Sequence, residues 1–333
     1  MATVIPALDK LATHITDTGE YEGLGSVLGD RRDGRVYVHD DRIVAATRIA
    51  IATGRPLLLR GPAGSGKSSL APFMARALGR QFYAFTVSAR TQARDLLWQF
   101  DALRRLSDAQ IRRAGDTAPS KVDRLEHYIE PGVLWWALSP STARRRGVPE
   151  GENIQPPITE PVNPGKGPTG KGTVLLIDEI DKADPDVPNS LLEPLGSLQF
   201  SVEETRVRVH GEGSPPLVFI TTNDERELPA AFRRRCVILY LKKHDRSDLI
   251  QIAQAHFGDH IPPVTEELAG RVADVHLKLQ DDAFKKGQRL PSTAEYLDAV
   301  RACLTLGADP RTGGEWSHIE ELALSKQDPF ATA

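Results

Sequence analysis

Five short apolar runs recur along the first three quarters of the chain, each bounded by glycine, proline or polar residues. They lie at residues 56–60, 82–87, 174–177, 217–222 and 237–241. Runs this short and this continuously apolar are typical of strands that are buried on both faces of a sheet. Segments with helical spacing separate several of the runs. The pattern therefore predicts an α/β fold, with a five-stranded parallel sheet flanked by helices.

The last quarter of the chain has a different pattern. From about residue 245 the apolar spacing is helical throughout, and Ser292 with Glu295 and Ser317 with Glu320 fit capping boxes that open helices. We place a domain boundary near Lys243. The predicted domains are an N-terminal arm at 1–35, a sheet domain at 36–243 and a helical domain at 244–333.

Two segments inside the predicted sheet domain do not belong to its sheet. Residues 90–146 predict a helical insert, which contains Trp98, Trp135 and Trp136. Residues 147–172 are dominated by proline and glycine, and they predict an irregular loop.

Composition and charge exclude several classes of protein. The 333 residues include 42 basic and 45 acidic residues, so the net charge of -3 gives no global basic field for nucleic acid. Only two cysteines occur, which excludes a disulfide scaffold and favours a reducing compartment. The N-terminus lacks the pattern of a secretory signal, and no apolar run reaches about 18 residues. We expect a cytoplasmic protein with no membrane span.

A glycine-rich segment follows the first predicted strand. Residues 61–68 read GPAGSGKS and match the phosphate-loop pattern G-x-x-x-x-G-K-[ST] in full. Glycines let backbone N–H groups turn toward phosphate oxygens, and the following helix adds its positive end. Lys67 suits the β- and γ-phosphates, and the Ser68 hydroxyl suits Mg²⁺. The candidate nucleotide-binding residues of this segment are Gly61, Pro62, Ala63, Gly64, Ser65, Gly66, Lys67, Ser68 and Ser69.

Polar side chains follow the third and fourth predicted strands. Asp178 and Glu179 end the apolar run of residues 174–177, and Asn223 follows residues 217–222. Because ligands bind at the carboxyl edge of a parallel sheet, Asp178 suits Mg²⁺ and Glu179 suits activation of the attacking water. Asn223 suits orientation of that water, although an asparagine here could also cap a turn.

Three arginines, Arg233, Arg234 and Arg235, precede the fifth predicted strand. An arginine at this point can neutralise γ-phosphate charge in a neighbouring subunit. A solvated basic turn is the alternative.

These four motifs, in this order and spacing, resemble an AAA+ ATPase and more narrowly the MoxR family. The insert resembles that family's at DLLWQFDALRRL, residues 95–106, and at YIEPGVLWWAL, residues 128–138. Residues 189–213 resemble its helix and hairpin before the first sensor. The resemblance covers about residues 36–306, and it implies a P-loop fold with a C-terminal helical lid domain.

The resemblance also implies roles for single residues. It assigns Lys67 and Ser68 to phosphate and Mg²⁺, Asp178 and Glu179 to metal and water, and Asn223 to the first sensor. Arg235 fits the arginine finger best, and Arg234 is second. The family's second-sensor arginine has no direct counterpart, because Ser292 stands in its place. Arg289, three residues earlier, is the candidate substitute.

The implied activity is ATP hydrolysis with Mg²⁺ in a homo-hexameric ring that remodels or activates a partner protein. In this family the partner is often a von Willebrand A domain protein. Because neither the hairpin at 199–213 nor the insert is needed to build the nucleotide site, we expect both to lie on exposed faces of the ring and to contact that partner, with Phe200, Trp135 and Trp136 as their large apolar groups. The alternative for Trp135 and Trp136, and the more common role of such a pair, is packing in the core. The alternatives are a P-loop small-molecule kinase, a nucleotide-gated binding module with little turnover, and a DNA- or RNA-associated motor, which the net charge disfavours.

Overall fold

The computed structural model describes residues 34–111, 121–152, 158, 160–161, 172–259 and 262–325. Almost all of the predicted N-terminal arm and most of the predicted 147–172 loop therefore lie outside the described residues. The chain divides into two compact units. The first unit contains Asp41–Arg60 and Met74–Leu239, and the second contains residues 34–40, Gly61–Phe73 and residues 240–325. The domain boundaries drawn from the sequence stay predictions.

The first unit alternates strands and helices. In chain order its elements are α1 (Asp41–Thr53), β1 (Leu57–Arg60), the second half of α2 (Lys67–Ala77), β2 (Gln81–Thr86), α3 (Ala93–Leu97), β3 (Trp98–Phe100), α4 (Ala102–Ile111), β4 (Ile129–Pro131), α5 (Val133–Leu138), α6 (Pro140–Arg144), β5 (Thr173–Asp178), α7 (Asp186–Ser190), α8 (Leu192–Ser197), β6 (Gln199–Ser201), β7 (Arg208–His210), β8 (Leu217–Thr222), α9 (Ala230–Arg233) and β9 (Val237–Tyr240). Short 3-10 turns join several of them.

The five predicted apolar runs form one parallel sheet, as predicted. Its strand order is β2-β5-β8-β1-β9. The central strands are in register, with Leu58 opposite Ile220 and Leu175 opposite Val218. Every residue of β5 and β8 is buried, which is why these strands are apolar on both faces. The carboxyl ends of β1, β5 and β8 consequently meet at one edge of the sheet.

The predicted helical insert at 90–146 is only partly helical, and the sequence-based prediction is wrong there. β3 and β4 pair antiparallel, with Trp98 opposite Pro131 and Phe100 opposite Ile129. Three-residue strands carry almost no periodicity, so their pairing depends on contacts about 30 residues apart in the chain.

The two tryptophans of α5 are buried, so the expectation that they lie on an exposed face is also wrong. Trp135 and Trp136 are 0% and 1% exposed. The indole Nε1 of Trp135 donates a hydrogen bond to Thr142 Oγ1 at 2.9 Å, which satisfies its polar atom inside the core. Both rings belong to the packing of the unit and are unavailable to a partner.

The hairpin of β6 and β7 packs on the insert. Phe200, opposite Val209 in the hairpin, stacks on Trp98 with ring centroids 5.8 Å apart, and it meets Trp135 edge-on at 5.7 Å. Near the hairpin tip, Glu204 accepts a hydrogen bond from Trp98 Nε1 at 2.7 Å and forms an ion pair with Arg94. Hairpin and insert therefore hold each other through aromatic and charged contacts.

From Arg246 onward the second unit consists mainly of helices. Its later helices are α10 (Arg246–Phe257), α11 (Glu266–Lys285), α12 (Thr293–Leu306) and α13 (Glu315–Ile319), followed by a π-helical turn, Glu320–Ser325. They pack around their own apolar core, which includes Val272, Tyr296 and Trp316. None of the described helices is long and apolar enough to cross a membrane. Both cysteines, Cys236 and Cys303, are buried and free.

One of the two predicted capping boxes is present. Glu295 accepts a hydrogen bond from the backbone N–H of Ser292 at 2.7 Å, and α12 begins at the next residue. The box predicted for Ser317 and Glu320 is wrong. α13 begins after Gly314, so Ser317 lies inside a helix that has already started.

Candidate functional site

The phosphate-loop segment depends on backbone conformations that favour glycine. Gly61, Gly64 and Gly66 have φ angles of 141°, 79° and 83°, which side chains rarely tolerate. Ser65 Oγ donates to the carbonyl of Pro62 at 2.9 Å and closes the turn. The sequence pattern and the backbone thus agree on a tight loop that leads into a helix, the arrangement that binds phosphate in P-loop proteins.

Within the second unit, this loop packs closely against its neighbours. A Cβ atom on Gly61 would lie 2.3 Å from the carbonyl oxygen of Leu241, and one on Gly64 would lie 2.9 Å from Ser292 Cβ and from Thr293 N. The start of α12 therefore touches the loop. A Cβ atom on Gly66 would meet the ring of Tyr37 at 3.2 Å. Burial, with a smaller contribution from Asp40, raises the pKa of Tyr37, so this phenol stays neutral.

Lys67 is the first residue of α2. Its ammonium is buried and donates to the carbonyl oxygens of Gly61 at 2.7 Å and of Pro62 at 2.8 Å. These bonds keep the positive charge on the loop. Ser68 and Ser69 follow in the first turn of the helix, where orphan backbone N–H groups and the helix dipole favour anions. Ala63 is exposed, whereas Pro62, Gly64 and Gly66 are half-buried.

In the first unit, the carboxyl edge of the sheet holds Asp178 and Glu179. Asp178 is buried at the end of β5, and one of its oxygens accepts a hydrogen bond from Thr221 Oγ1 at 2.6 Å. The same hydroxyl oxygen accepts from the backbone N–H of Glu179 at 2.8 Å. Glu179 has a left-handed φ of 61°, which turns the chain sharply after the strand. Thr221 thereby fixes both acidic residues relative to the neighbouring strand β8.

The carboxylate of Glu179 has a partner of its own. Lys182 Nζ lies 2.6 Å from Glu179 Oε2, one turn later in the chain. The hydrogen bond that Lys182 donates to Glu179 raises the pKa of Lys182, so the ammonium stays charged at neutral pH. Both side chains remain partly exposed, so the ion pair lies at the protein surface, at the carboxyl edge of the sheet.

Asn223 begins the segment that follows β8. Its backbone N–H donates to Asp181 Oδ2 at 3.1 Å, and the N–H of Glu225 donates to the same oxygen at 3.0 Å. Asp181 is only 2% exposed, and its Oδ1 has no hydrogen-bond partner within the described part of the chain. A buried carboxylate of the β5 turn therefore holds the backbone of the Asn223 segment.

A second contact holds that segment from the other side. Arg60, the last residue of β1, forms an ion pair with Asp224 at 2.9 Å. Asp224 has a left-handed φ of 60°, so the ion pair stabilises a backbone that few residues adopt. A cleft of about 200 Å³ opens here, lined by Arg60, Asp224, Arg226, Glu227, Leu228 and Arg233.

The three arginines before β9 have different surroundings. Arg233 pairs with Glu227 at 2.9 Å, which engages its guanidinium within the chain. Arg235 is exposed, and its guanidinium donates a long hydrogen bond to the carbonyl of Leu192, at 3.4 Å. Arg234 is also exposed, and neither Arg234 nor Arg235 forms an ion pair among the described residues. Arg234 and Arg235 are thus the two whose charges stay available to another molecule.

Arg289, the candidate for the second sensor, lies in the helical unit. Its guanidinium is 3.0 Å from Glu295 Oε1, and its side chain is 70% exposed. Glu295 is also the acidic member of the capping box of α12, so Arg289 is tied to the start of that helix.

The phosphate-loop pattern implies Mg²⁺, and the oxygen chemistry of the two predicted ligands suits that ion. Asp178 of the first unit carries a carboxylate and Ser68 of the second unit carries a hydroxyl. Mg²⁺ usually takes one or two such ligands and completes its shell with phosphate and water oxygens. No cluster of three or more histidine, cysteine, aspartate or glutamate side chains suited to a metal occurs among the described residues.

Sequence reasoning missed several residues of this site. These residues join segments that lie far apart in the chain or within one sharp turn. They are Thr221, Asp181, Lys182 and the ion pair of Arg60 and Asp224. The sequence offered two signals for these residues: a threonine at the end of an apolar strand, and a third acid in the run DEID. Tyr37 had no sequence signal, because its contact with the phosphate loop depends on how the second unit folds.

Comparison with known proteins gives the family. A family model described as AAA domain (dynein-related subfamily) matches residues 56–236. The midasin of Giardia intestinalis is 41% identical over 59 residues, which are 18% of this chain and 1% of that protein. A mitochondrial Lon protease homolog of Phaeodactylum tricornutum is 26% identical over 268 residues, which are 76% of this chain and 24% of that protein. The chain thus spans about a quarter or less of the length of either relative.

Two solved structures of Thermotoga maritima RuvB variants are also similar, each with 14% identity. One covers 87% of this chain and 70% of the RuvB chain with a TM-score of 0.44, and the other covers 88% and 74% with a TM-score of 0.46. The family assignment rests on the family model, which spans the phosphate loop, the β5 turn and the segment after β8. Since that model covers more than half of the residues, the chain belongs to the AAA-domain family, dynein-related subfamily.

Proposed function

We propose that this protein binds ATP with Mg²⁺ and hydrolyses it, as a MoxR-like member of the AAA+ ATPases. The observation that carries the proposal is the pairing, in one chain, of a complete phosphate loop with an acidic strand end whose Asp178 and Glu179 are both fixed by Thr221. Proteins of this family use those two elements for nucleotide chemistry, and this chain holds both in ordered form.

Each residue has a separate task in the proposed reaction. Lys67 and the N–H groups of the loop and of the first turn of α2 bind the phosphate oxygens. Ser68 and Asp178 hold Mg²⁺, which when bound neutralises charge on the phosphates. Glu179 orients and deprotonates the attacking water, and Asn223 positions it. For Glu179 to do so, its carboxylate must exchange the contact with Lys182 for one with water.

The proposal extends to assembly and partner. Arg235, or Arg234 beside it, supplies positive charge to the γ-phosphate bound by a neighbouring subunit, so hydrolysis requires a ring, for which we propose a homo-hexamer. The work of the ring is to remodel or activate a partner protein, as in MoxR-like proteins that act with von Willebrand A domain proteins. We place the protein in the cytoplasm, with Arg289 as a second sensor and residues 244–333 as a lid.

Subunit mixing tests the ring. Arg235→Ala subunits keep their phosphate loop, and Lys67→Ala subunits keep their arginine, so each variant alone has low activity. A mixture creates interfaces that pair an intact loop with an intact arginine. The phosphate-release rate of the mixture should exceed the average of the two variants, and wild-type activity per subunit should rise with protein concentration. Activity that is independent of concentration, with no recovery on mixing, would contradict a shared site.

Arg233→Ala is the matched control. Its guanidinium is engaged by Glu227, so this variant should keep most of the wild-type activity. If Arg233→Ala instead loses activity and is rescued by Lys67→Ala subunits, Arg233 is the shared arginine and the assignment of Arg235 is wrong.

A further inference from the structure

Strand β1 ends in a charged residue at the carboxyl edge of the sheet. The first three residues of the strand are fully buried leucines, whereas the side chain of Arg60, the last residue, is 32% exposed. In the register of the parallel strands, Arg60 lies opposite Thr222, the last residue of β8. The next residue after Arg60 is Gly61, which begins the phosphate loop, and the next after Thr222 is Asn223. Arg60 therefore lies where the strand that precedes the phosphate loop meets the strand that leads to Asn223.

Three successive backbone N–H groups hold the segment that follows β8. Those of Asn223 and Glu225 donate to Asp181 Oδ2, and that of Asp224 donates to Thr222 Oγ1 at 2.9 Å. These bonds fix the segment relative to the β5 turn and to the end of β8. They do not connect it to β1, which precedes the phosphate loop.

The ion pair of Arg60 and Asp224 makes the connection to β1. Arg60 Nε donates to both carboxylate oxygens of Asp224, at 2.9 Å and 3.3 Å. The left-handed φ of 60° at Asp224 is a conformation that aspartate adopts more readily than most residues. In this conformation the carboxylate of Asp224 meets Arg60 while its backbone N–H stays bound to Thr222.

The exposure of the ion pair separates a positioning role from a stabilising one. The side chains of Arg60 and Asp224 are 32% and 34% exposed. Ion pairs that are this accessible contribute little to folding stability, because water and salt screen the charges. In contrast, an error of about 1 Å in the placement of a reacting group can cost about a hundredfold in rate. Loss of the pair should therefore lower the rate of catalysis and leave the unfolding transition almost unchanged.

We propose that Arg60 and Asp224 are positioning residues for ATP hydrolysis, which fix Asn223 relative to the strand that precedes the phosphate loop. The inference rests on the proposed function, since Asn223 has its task only if water attacks a bound γ-phosphate. Both residues act through the backbone of the segment after β8, and neither contacts the nucleotide in this role.

A double-mutant cycle on phosphate release by the full chain tests the pair. Arg60→Gln removes the guanidinium and should lower kcat at least about fivefold, with KM for ATP changed by less than about twofold. Asp224→Asn keeps a residue that accepts a left-handed φ and one acceptor oxygen, and it should lower kcat at least about threefold. The double variant should be no slower than Arg60→Gln, because the pair is already lost. Arg60→Lys keeps the positive charge and should recover part of the rate.

Arg226→Gln is the matched control. It removes an exposed arginine from the same cleft and leaves Arg60 and Asp224 in place, so kcat should stay within about twofold of wild type. The urea midpoint of each variant should lie close to that of wild type, which excludes partial unfolding as the cause of a lower rate. If Arg60→Gln does not fold, Asp224→Asn and Arg60→Lys decide, since both keep a polar side chain of nearly the same length at the pair.

Three results would overturn the proposal. They are a normal kcat in both single variants, a double variant whose loss of rate is the product of the two single losses, and an equal loss in Arg226→Gln. Each differs from a failure of the proposed function. If wild type releases phosphate and Glu179→Gln does not, the proposed function holds, and a normal kcat in Arg60→Gln and Asp224→Asn contradicts this inference alone.

Discussion

A single buried carboxylate, Asp181, holds the backbone of the segment that begins at Asn223. Its Oδ2 accepts hydrogen bonds from the N–H groups of Asn223 and Glu225, at 3.1 Å and 3.0 Å. Hydrogen bonds to a charged acceptor contribute about 1.5–3 kcal/mol each, so their loss should let Asn223 move relative to Glu179. Asp181 is therefore a positioning residue for the proposed water activation.

Replacing Asp181 tests this role. Asp181→Ala should lower kcat for ATP hydrolysis by at least about tenfold and change KM little, because the hydrogen bonds of its carboxylate go to the backbone of the Asn223 segment. Asp181→Asn keeps one acceptor oxygen and should recover part of the rate. Asp186→Ala, an exposed carboxylate of the following helix, is the control and should be silent. A normal kcat in Asp181→Ala, or an effect on KM alone, would rule out a positioning role.

Single residues of the candidate site could be predicted from the sequence only where a motif has fixed spacing. Lys67, Asp178 and Glu179 could be found because the loop and the strand end each form a continuous run. Thr221 could not, because its role depends on β8 lying beside β5, which puts residues 43 positions apart within hydrogen-bonding distance. Asp181 could be seen as a third acid, but not as a buried one.

Among the elements, the hairpin of β6 and β7 depends on Phe200 for its attachment. The ring contacts Trp98 and Trp135 of the insert, and aromatic pairs add about 0.5–1.5 kcal/mol beyond the area they bury. Phe200→Ala should lower the free energy of unfolding by about 2 kcal/mol, measured from the urea midpoint. Phe284→Ala, which removes a ring that is 77% exposed, should change it by less than about 0.5 kcal/mol. Equal effects of the two changes would mean that the hairpin is not anchored by Phe200.

The length of each strand explains which strands could be predicted from the sequence. The five strands of the sheet are continuous apolar runs, and burial on both faces makes such runs visible in the sequence. β3 and β4 have three residues each and exist because they pair with each other, so a local pattern cannot reveal them. The same reason explains why the burial of Trp135 could not be predicted from the local pattern: Phe200, which meets its ring, comes 65 residues later in the chain.

For the whole molecule, one buried histidine should make folding sensitive to acid. His276 of α11 is 1% exposed and lies against the ring of Tyr296. Burial lowers its pKa from 6.5 to about 4; Glu295 opposes the shift, and Lys243 and His244 add to it. Between these values the unfolded chain binds a proton that the folded chain does not. Stability should therefore fall as the pH drops from about 6.5 to 4, by about 3 kcal/mol from this residue.

Urea unfolding at several pH values measures this contribution. His276→Gln cannot titrate, so its stability should fall less steeply than that of wild type over the same interval, even if its stability at pH 7 is lower. His318→Gln, at an exposed position, should keep the wild-type slope. Parallel slopes for wild type and His276→Gln would show that His276 does not titrate differently in the two states.

Oligomeric assembly leaves the weakest pattern in the sequence of a single chain. The sheet, the phosphate loop and the helical region follow from patterns within the chain, and the family model covers the sheet and the phosphate loop. A ring arginine acts only across an interface, so its sequence signal is no more than an arginine before a strand. The exposure of Arg234 and Arg235 narrows the candidates to two, and subunit mixing distinguishes them from Arg233.

The proposed hydrolysis of ATP depends on Glu179 as the residue that activates water. Phosphate release by Glu179→Gln tests this role, alongside equilibrium binding of a fluorescent ATP analogue to the same variant. We expect binding close to that of wild type and turnover reduced by about a hundredfold or more, because general-base catalysis contributes about 10²–10⁴ in rate. Normal phosphate release from Glu179→Gln, with binding intact, would show that Glu179 does not activate the water.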